Sequence, residues 1–86
     1  MGLDTVEYVL AIEAAFDVSI PDSESAIFIT PRDIGDFVER ELGVKHRHLE
    51  RSEIDEIIKQ ITMDELGVSP QEYRIDSRFI EDFGIE

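Results

Sequence analysis

Carboxylates dominate the side chains that could do chemistry in this chain. Asp4, Glu7, Glu13 and Asp22 recur along its first quarter, and both histidines, His46 and His48, sit inside the short basic run VKHRHLER. Histidines two apart could share a metal ion only from an extended backbone, and no third ligand lies nearby, so no metal site is expected. No nucleophile–histidine pair exists outside that run, and no glycine-rich loop could cradle a phosphate. No spacing places two carboxylates in an apolar setting, so the chain is not expected to be an enzyme. DVSIPDSESAIF lacks the central glycine and the ligand spacing of a calcium loop. Acids distributed along helices can instead steer and orient a basic partner surface.

Composition narrows the classes further. The 86 residues carry 21 acidic and 8 basic side chains, a net charge of −13 that repels phosphate backbones and disfavours nucleic acid as a partner. Cysteine is absent, which excludes disulfides and thiolate metal ligation. No apolar run approaches the roughly 20 residues of a membrane span. The first residues lack the basic and apolar blocks of a secretory signal. A single cytoplasmic domain over residues 1–86 is expected.

The elements that must position the acids are helical. From Leu3 to Phe16, the residues Leu3, Val6, Val9, Leu10, Ala14 and Phe16 fall mostly at helical spacing, and Pro21 stops any continuation. IPDSESAIF leaves room for one or two short turns. Thr30, Pro31 and Asp33 give a capping hydroxyl, a proline at the first helical position and an acid at the third. The helix they start buries Ile34, Phe37, Val38 and Leu42 and ends at Gly43. Residues 44–51 form the basic linker. Ser52, with Asp55 as a capping-box partner, opens a helix lined by Ile54, Ile57, Ile58, Ile61 and Leu66 and closed by Gly67. Ser69, Pro70 and Glu72 mark a single turn, and Phe79, Ile80 and Phe83 are buried candidates near the end. The pattern contains no strand. An all-α fold follows.

Two stretches carry a resemblance. LDTVEYVLAIEAAFDVSIPD resembles the second helix and following loop of acyl carrier proteins, with Leu3, Asp4, Glu7, Glu13, Phe16, Ile20, Pro21 and Asp22 at family spacing. Thr30 to Leu42 resembles the fourth helix of that family, Pro31 and Arg32 being departures. EIDEIIKQITMDELGVSPQEYRIDSRFIEDFGIE resembles the first helix and long loop, matching at Glu65, Leu66, Gly67, Val68, Phe79, Glu81, Asp82 and Gly84. The halves together cover nearly the whole chain, in reversed order. The resemblance therefore implies a circularly permuted acyl-carrier-like four-helix bundle. Residues 1–43 would be family helices II to IV, 44–51 the linker, and 52–86 helix I with its loop. Permutation is tolerated where the original termini lie close at the surface.

The resemblance also assigns sites. The family attaches 4′-phosphopantetheine to a serine opening the second helix; Gly2 takes that position and Glu86 takes that of the aspartate before it. Glycine offers no hydroxyl, so no cofactor is expected unless a serine is supplied outside this sequence. Asp76-Ser77 is a literal Asp-Ser pair, but Arg78 follows, which makes Ser77 a weak substitute. Asp4, Glu7, Glu13 and Asp22 match the family's docking acids, which recognise a basic patch on a partner synthase, transferase or ligase, and Glu86 would lie beside them if the ends meet. A carrier-fold binding module in fatty acid, polyketide or related thioester biosynthesis is the first expectation. A working carrier of acyl or aminoacyl groups and a structural oligomerisation domain are the alternatives. The assembly is expected to be a monomer or a homodimer that exchanges the Ser52–Leu66 helix.

Overall fold

A computed structural model describes the backbone of residues 3–79 and the side chains of residues 6–79. The fold is all-helical, with α1 at Leu3–Phe16, α2 at Asp22–Ser25, α3 at Pro31–Val44 and α4 at Arg51–Leu66. No strand occurs among the described residues. The last helix holds the bundle together. α4 packs against both α1 and α3, and Ile54 and Ile58 are buried among Ile12, Phe16, Ile34, Val38 and Leu42. Each such side chain contributes on the order of 1.5–3 kcal/mol through burial.

α1 turns a different face inward from the one its spacing suggested. Tyr8, Ile12 and Phe16 are buried, with Val9 packed against them, whereas Val6, Leu10 and Ala14 face outward. LDTVEYVLAIEAAF is apolar around most of its circumference, so periodicity alone cannot select a side. The buried choice is the one that gives the Tyr8 hydroxyl a partner. Tyr8 Oη lies 2.7 Å from Thr62 Oγ1 on α4. The Thr62 hydroxyl hydrogen goes to the Ile58 carbonyl oxygen at 2.7 Å, so Tyr8 is the donor to Thr62.

α3 starts as its sequence indicates. Asp33 N donates to Thr30 Oγ1 at 3.4 Å, Thr30 N donates to Asp33 Oδ2 at 3.1 Å, and Pro31 occupies the first turn. Its end differs: Gly43 stays helical, and the left-handed residue is His46 at φ 56°. Arg47 N donates to Leu42 O at 2.8 Å and His46 N to Gly43 O at 3.1 Å, which closes the helix with the paired bonds of a Schellman turn. The connector therefore runs over 45–50.

α4 begins at Arg51, one residue earlier than expected, and Ser52 with Asp55 does not cap it. Glu53 Oε1 instead accepts from Glu50 N at 3.4 Å. Asp55 is drawn away by Arg51, whose Nε lies 2.8 Å from Asp55 Oδ1. The same guanidinium reaches across to α3, with Nη1 2.9 Å from Asp36 and 3.3 Å from Glu39, and donates to the Arg32 carbonyl at 3.3 Å. Gly67 ends α4 at φ 68°, as its position predicts.

The segment after α4 returns along α3. Ser69 and Glu72 cap a turn through Ser69 Oγ to Glu72 Oε1 at 2.8 Å and Glu72 N to Ser69 Oγ at 3.3 Å. Arg32 N donates to Ile75 O at 3.0 Å and Phe79 N to Ile29 O at 2.9 Å, fastening the loop on both sides of the α3 cap. Val68, Tyr73 and Phe79 are buried. Ile80 and Phe83 lie outside the described residues.

Candidate functional site

The outer side of α1 carries the candidate site. At about 100° per residue, Val6, Leu10 and Ala14 form one stripe along the helix, with Glu13 bordering one edge and Glu7 the other. Val6 and Leu10 are 50% and 57% exposed. α1 contains no basic residue. A large apolar side chain left half in water between two acids complements a partner surface with an apolar centre and a basic rim.

The acids are not equivalent. Glu7 is exposed and makes no ion pair among the described residues. Glu13 is committed to the fold: its Oε2 accepts from Ile20 N at 2.6 Å, a charge-assisted bond that pins the loop leaving α1. Asp22 opens the exposed start of α2. Asp4 lies in the first turn of α1 with its side chain outside the described set, and Gly2 and Glu86 also lie outside it.

Several basic side chains elsewhere bind the chain's own acids and carbonyls. Asp17, at φ 53°, ends α1, and its carbonyl accepts from Lys45 Nζ at 3.0 Å and Arg47 Nη1 at 3.3 Å. Cations at a helix C-terminus complement the negative end of its dipole. The connector is mostly solvent-exposed, yet both of its basic side chains, Lys45 and Arg47, are fastened to the end of α1.

Arg32 binds Asp76 through two hydrogen bonds, at 2.6 and 3.0 Å. The Arg32 guanidinium holds the Asp76 carboxyl below the usual carboxylate range. Ser77 follows in a loop, its N–H donating to Arg74 O at 3.0 Å. Asp76 thus serves an ion pair to α3, and Ser77 does not open a helix.

Sequence reasoning missed a shallow groove between α2 and α3. Its volume is about 170 Å³, and Ile27, Phe28 and Phe37 line it beside Glu24, Asp33 and Arg40. Phe28 meets Phe37 edge-on at 5.8 Å, and Arg40 sits 5.3 Å above the Phe37 ring. The available signal was the run AIFI just after α2, four consecutive apolar residues of which Ala26, Ile27 and Ile29 stay exposed. The groove is smaller than the roughly 300–1,000 Å³ of small-molecule pockets, so it suits a side chain. No cluster of three His, Cys, Asp or Glu side chains is placed to hold a metal ion among the described residues. No described helix is long and apolar enough to cross a membrane.

Comparison with known proteins finds relatives over part of the chain. The chain is 49% identical over 37 residues to an acyl carrier protein of Syntrophobacter fumaroxidans, a match covering 43% of this chain and 46% of that protein. The chain is related to the acyl carrier proteins. It shares 46% identity over 42 residues with the acyl carrier protein of Prochlorococcus marinus, covering 49% and 52% of the two chains. With that of Campylobacter concisus it shares 42% over 39 residues, covering 45% and 51%. The chain thus spans about half the length of the curated acyl carrier proteins it matches. No family model matches it, and no solved structure does.

Proposed function

We propose that this chain is a circularly permuted acyl carrier fold that acts as a cytoplasmic binding module, docking through α1 on the basic patch of an enzyme of thioester biosynthesis. The observation that carries the reading is a contact between the two ends of the described chain. The Phe79 ring meets the Tyr8 ring edge-on with centroids 5.7 Å apart, so the described chain ends beside the second turn of α1. A permuted carrier requires that arrival. The packing of α4 on α1 and α3 supports it as well, since α4 then takes the place of the family's first helix.

Gly2 occupies the position of the attachment serine in this reading, and glycine offers no oxygen for a phosphodiester. The residues present therefore do not fit a 4′-phosphopantetheine arm. What remains is a docking surface: the Val6–Leu10–Ala14 stripe with Glu7 at its edge. Charge complementarity there accelerates encounter and orients the partner more than it adds affinity.

Incubation with coenzyme A and a broad-specificity phosphopantetheinyl transferase tests both parts. The chain as it stands keeps its mass. A reordered version joins residues 51–86 directly to residues 2–44, leaving out Met1, and carries Gly2→Ser; it folds and gains one phosphopantetheine. Modification of the unaltered chain would overturn the armless reading and favour a working carrier. A reordered chain that fails to fold would overturn the permutation.

A further inference from the structure

We propose that residues 45–50 are a hinge through which two copies of this chain exchange α4. The inference rests on the packing of α4 and the chemistry of the connector rather than on the carrier reading, so loss of one leaves the other standing. The turn closing α3 places His46 at φ 56°, a left-handed conformation that side chains other than glycine adopt at a cost. From Val44 to Glu53 the chain has neither glycine nor proline, and Lys, Arg, Leu and Glu are good helix formers. Nothing in that stretch forbids a continuous helix from Pro31 to Leu66, about 54 Å long at 1.5 Å per residue.

Opening the hinge removes the left-handed residue and lets Glu41 face Lys45 and His46 face Glu50 at helical i, i+4 spacing. It releases the Lys45 and Arg47 bonds to the Asp17 carbonyl. The interfaces that α4 makes with α1 and α3 are re-formed with the second copy. Ile54, Ile58 and Thr62 enter the same core, and Arg51 meets Asp36 and Glu39 of that copy. Charge favours this site for self-association. The chain carries −13 overall, but residues 41–53 hold three acids and three bases, so two hinges can cross without net repulsion. The exchanged dimer presents two α1 faces on one particle, which lets it engage a multisubunit partner bivalently.

Light scattering on chains refolded across a range of concentrations tests the exchange. One-chain and two-chain masses are expected, the larger gaining with concentration. Tagged and untagged dimers should form hybrids only after joint unfolding. His46→Gly relieves the left-handed penalty in the closed turn and should weaken the dimer roughly tenfold or more. His46→Ala keeps the penalty, favours the helix and should strengthen it. A one-chain mass at every concentration for both the native chain and His46→Ala would overturn the proposal. So would a dimer that exchanges on simple mixing, or one indifferent to His46→Gly.

Discussion

The Tyr8 hydroxyl donates to the Thr62 hydroxyl at 2.7 Å, joining two residues 54 positions apart in a fully buried setting. Thr62 in turn donates to its own helix at Ile58. Thr62→Val keeps the shape but leaves the Tyr8 hydroxyl buried and unpaired, which costs about 1–3 kcal/mol. Tyr8→Phe combined with Thr62→Val removes both partners and should recover most of that loss. Urea denaturation of both variants measures the difference.

Gly35 on α3 faces the Arg51–Asp55 ion pair of α4. A Cβ there would stand 2.6 Å from Arg51 Nη2 and 2.9 Å from Asp55 Oδ1, so the ion pair must shift. Alanine in a helix interior is worth about 1 kcal/mol over glycine. Gly35→Ala should deliver that gain in an Arg51→Ala background and little or none of it in the native one. A double-mutant cycle by thermal unfolding reads the coupling.

Both tyrosines hold their protons into alkali. Burial pushes the Tyr8 phenol well above its usual value, against a smaller lowering by the Thr62 hydrogen bond. Burial, then the charges of Asp55 and Glu56, push Tyr73 up to about 12. A folded-state value above the unfolded one means a contribution complete below about pH 10 and lost as pH rises through the folded value. The folded chain should show almost no tyrosinate absorbance at pH 10. Stability should fall steadily from there towards pH 12.

Glu7 and Glu13 separate docking from folding. Glu13→Lys strips the acceptor from Ile20 N–H and should cost about 1–3 kcal/mol. Glu7→Lys and Leu10→Ser lie on the exposed face and should change stability by less than about 0.5 kcal/mol. The same two substitutions should weaken binding to a carrier-dependent synthase or transferase at least tenfold. Surface plasmon resonance at two salt concentrations checks this, with the Glu7→Lys effect shrinking at high salt.

Local chemistry made parts of this fold legible in the sequence. Thr30, Pro31 and Asp33 start α3 because a capping hydroxyl, a fixed φ and an acid all act within one turn. Gly67 ends α4 for the same kind of reason. The misreadings required knowledge of a neighbour. α1 could turn either side inward until Thr62 was placed opposite Tyr8, and Asp55 was a plausible cap until Arg51 claimed it. His46 replaced Gly43 as the turning residue once Lys45 and Arg47 reached Asp17. Within the candidate site, the acids were visible as residue types. The structural duty of Glu13 and the exposed stripe beside it appear only after the helix has been rotated into place.

The permuted order is tested most directly by the distance between the chain's two ends. The chain has no cysteine, so Gly2→Cys and Glu86→Cys can carry spin labels without competition. Dipolar broadening in the continuous-wave electron paramagnetic resonance spectrum of the labelled chain should report a single short distance, within about 15 Å, because neighbouring residues of an uninterrupted family chain stand about 3.8 Å apart. An unbroadened spectrum, as at a distance near the 35 Å long axis of the molecule, would contradict the account.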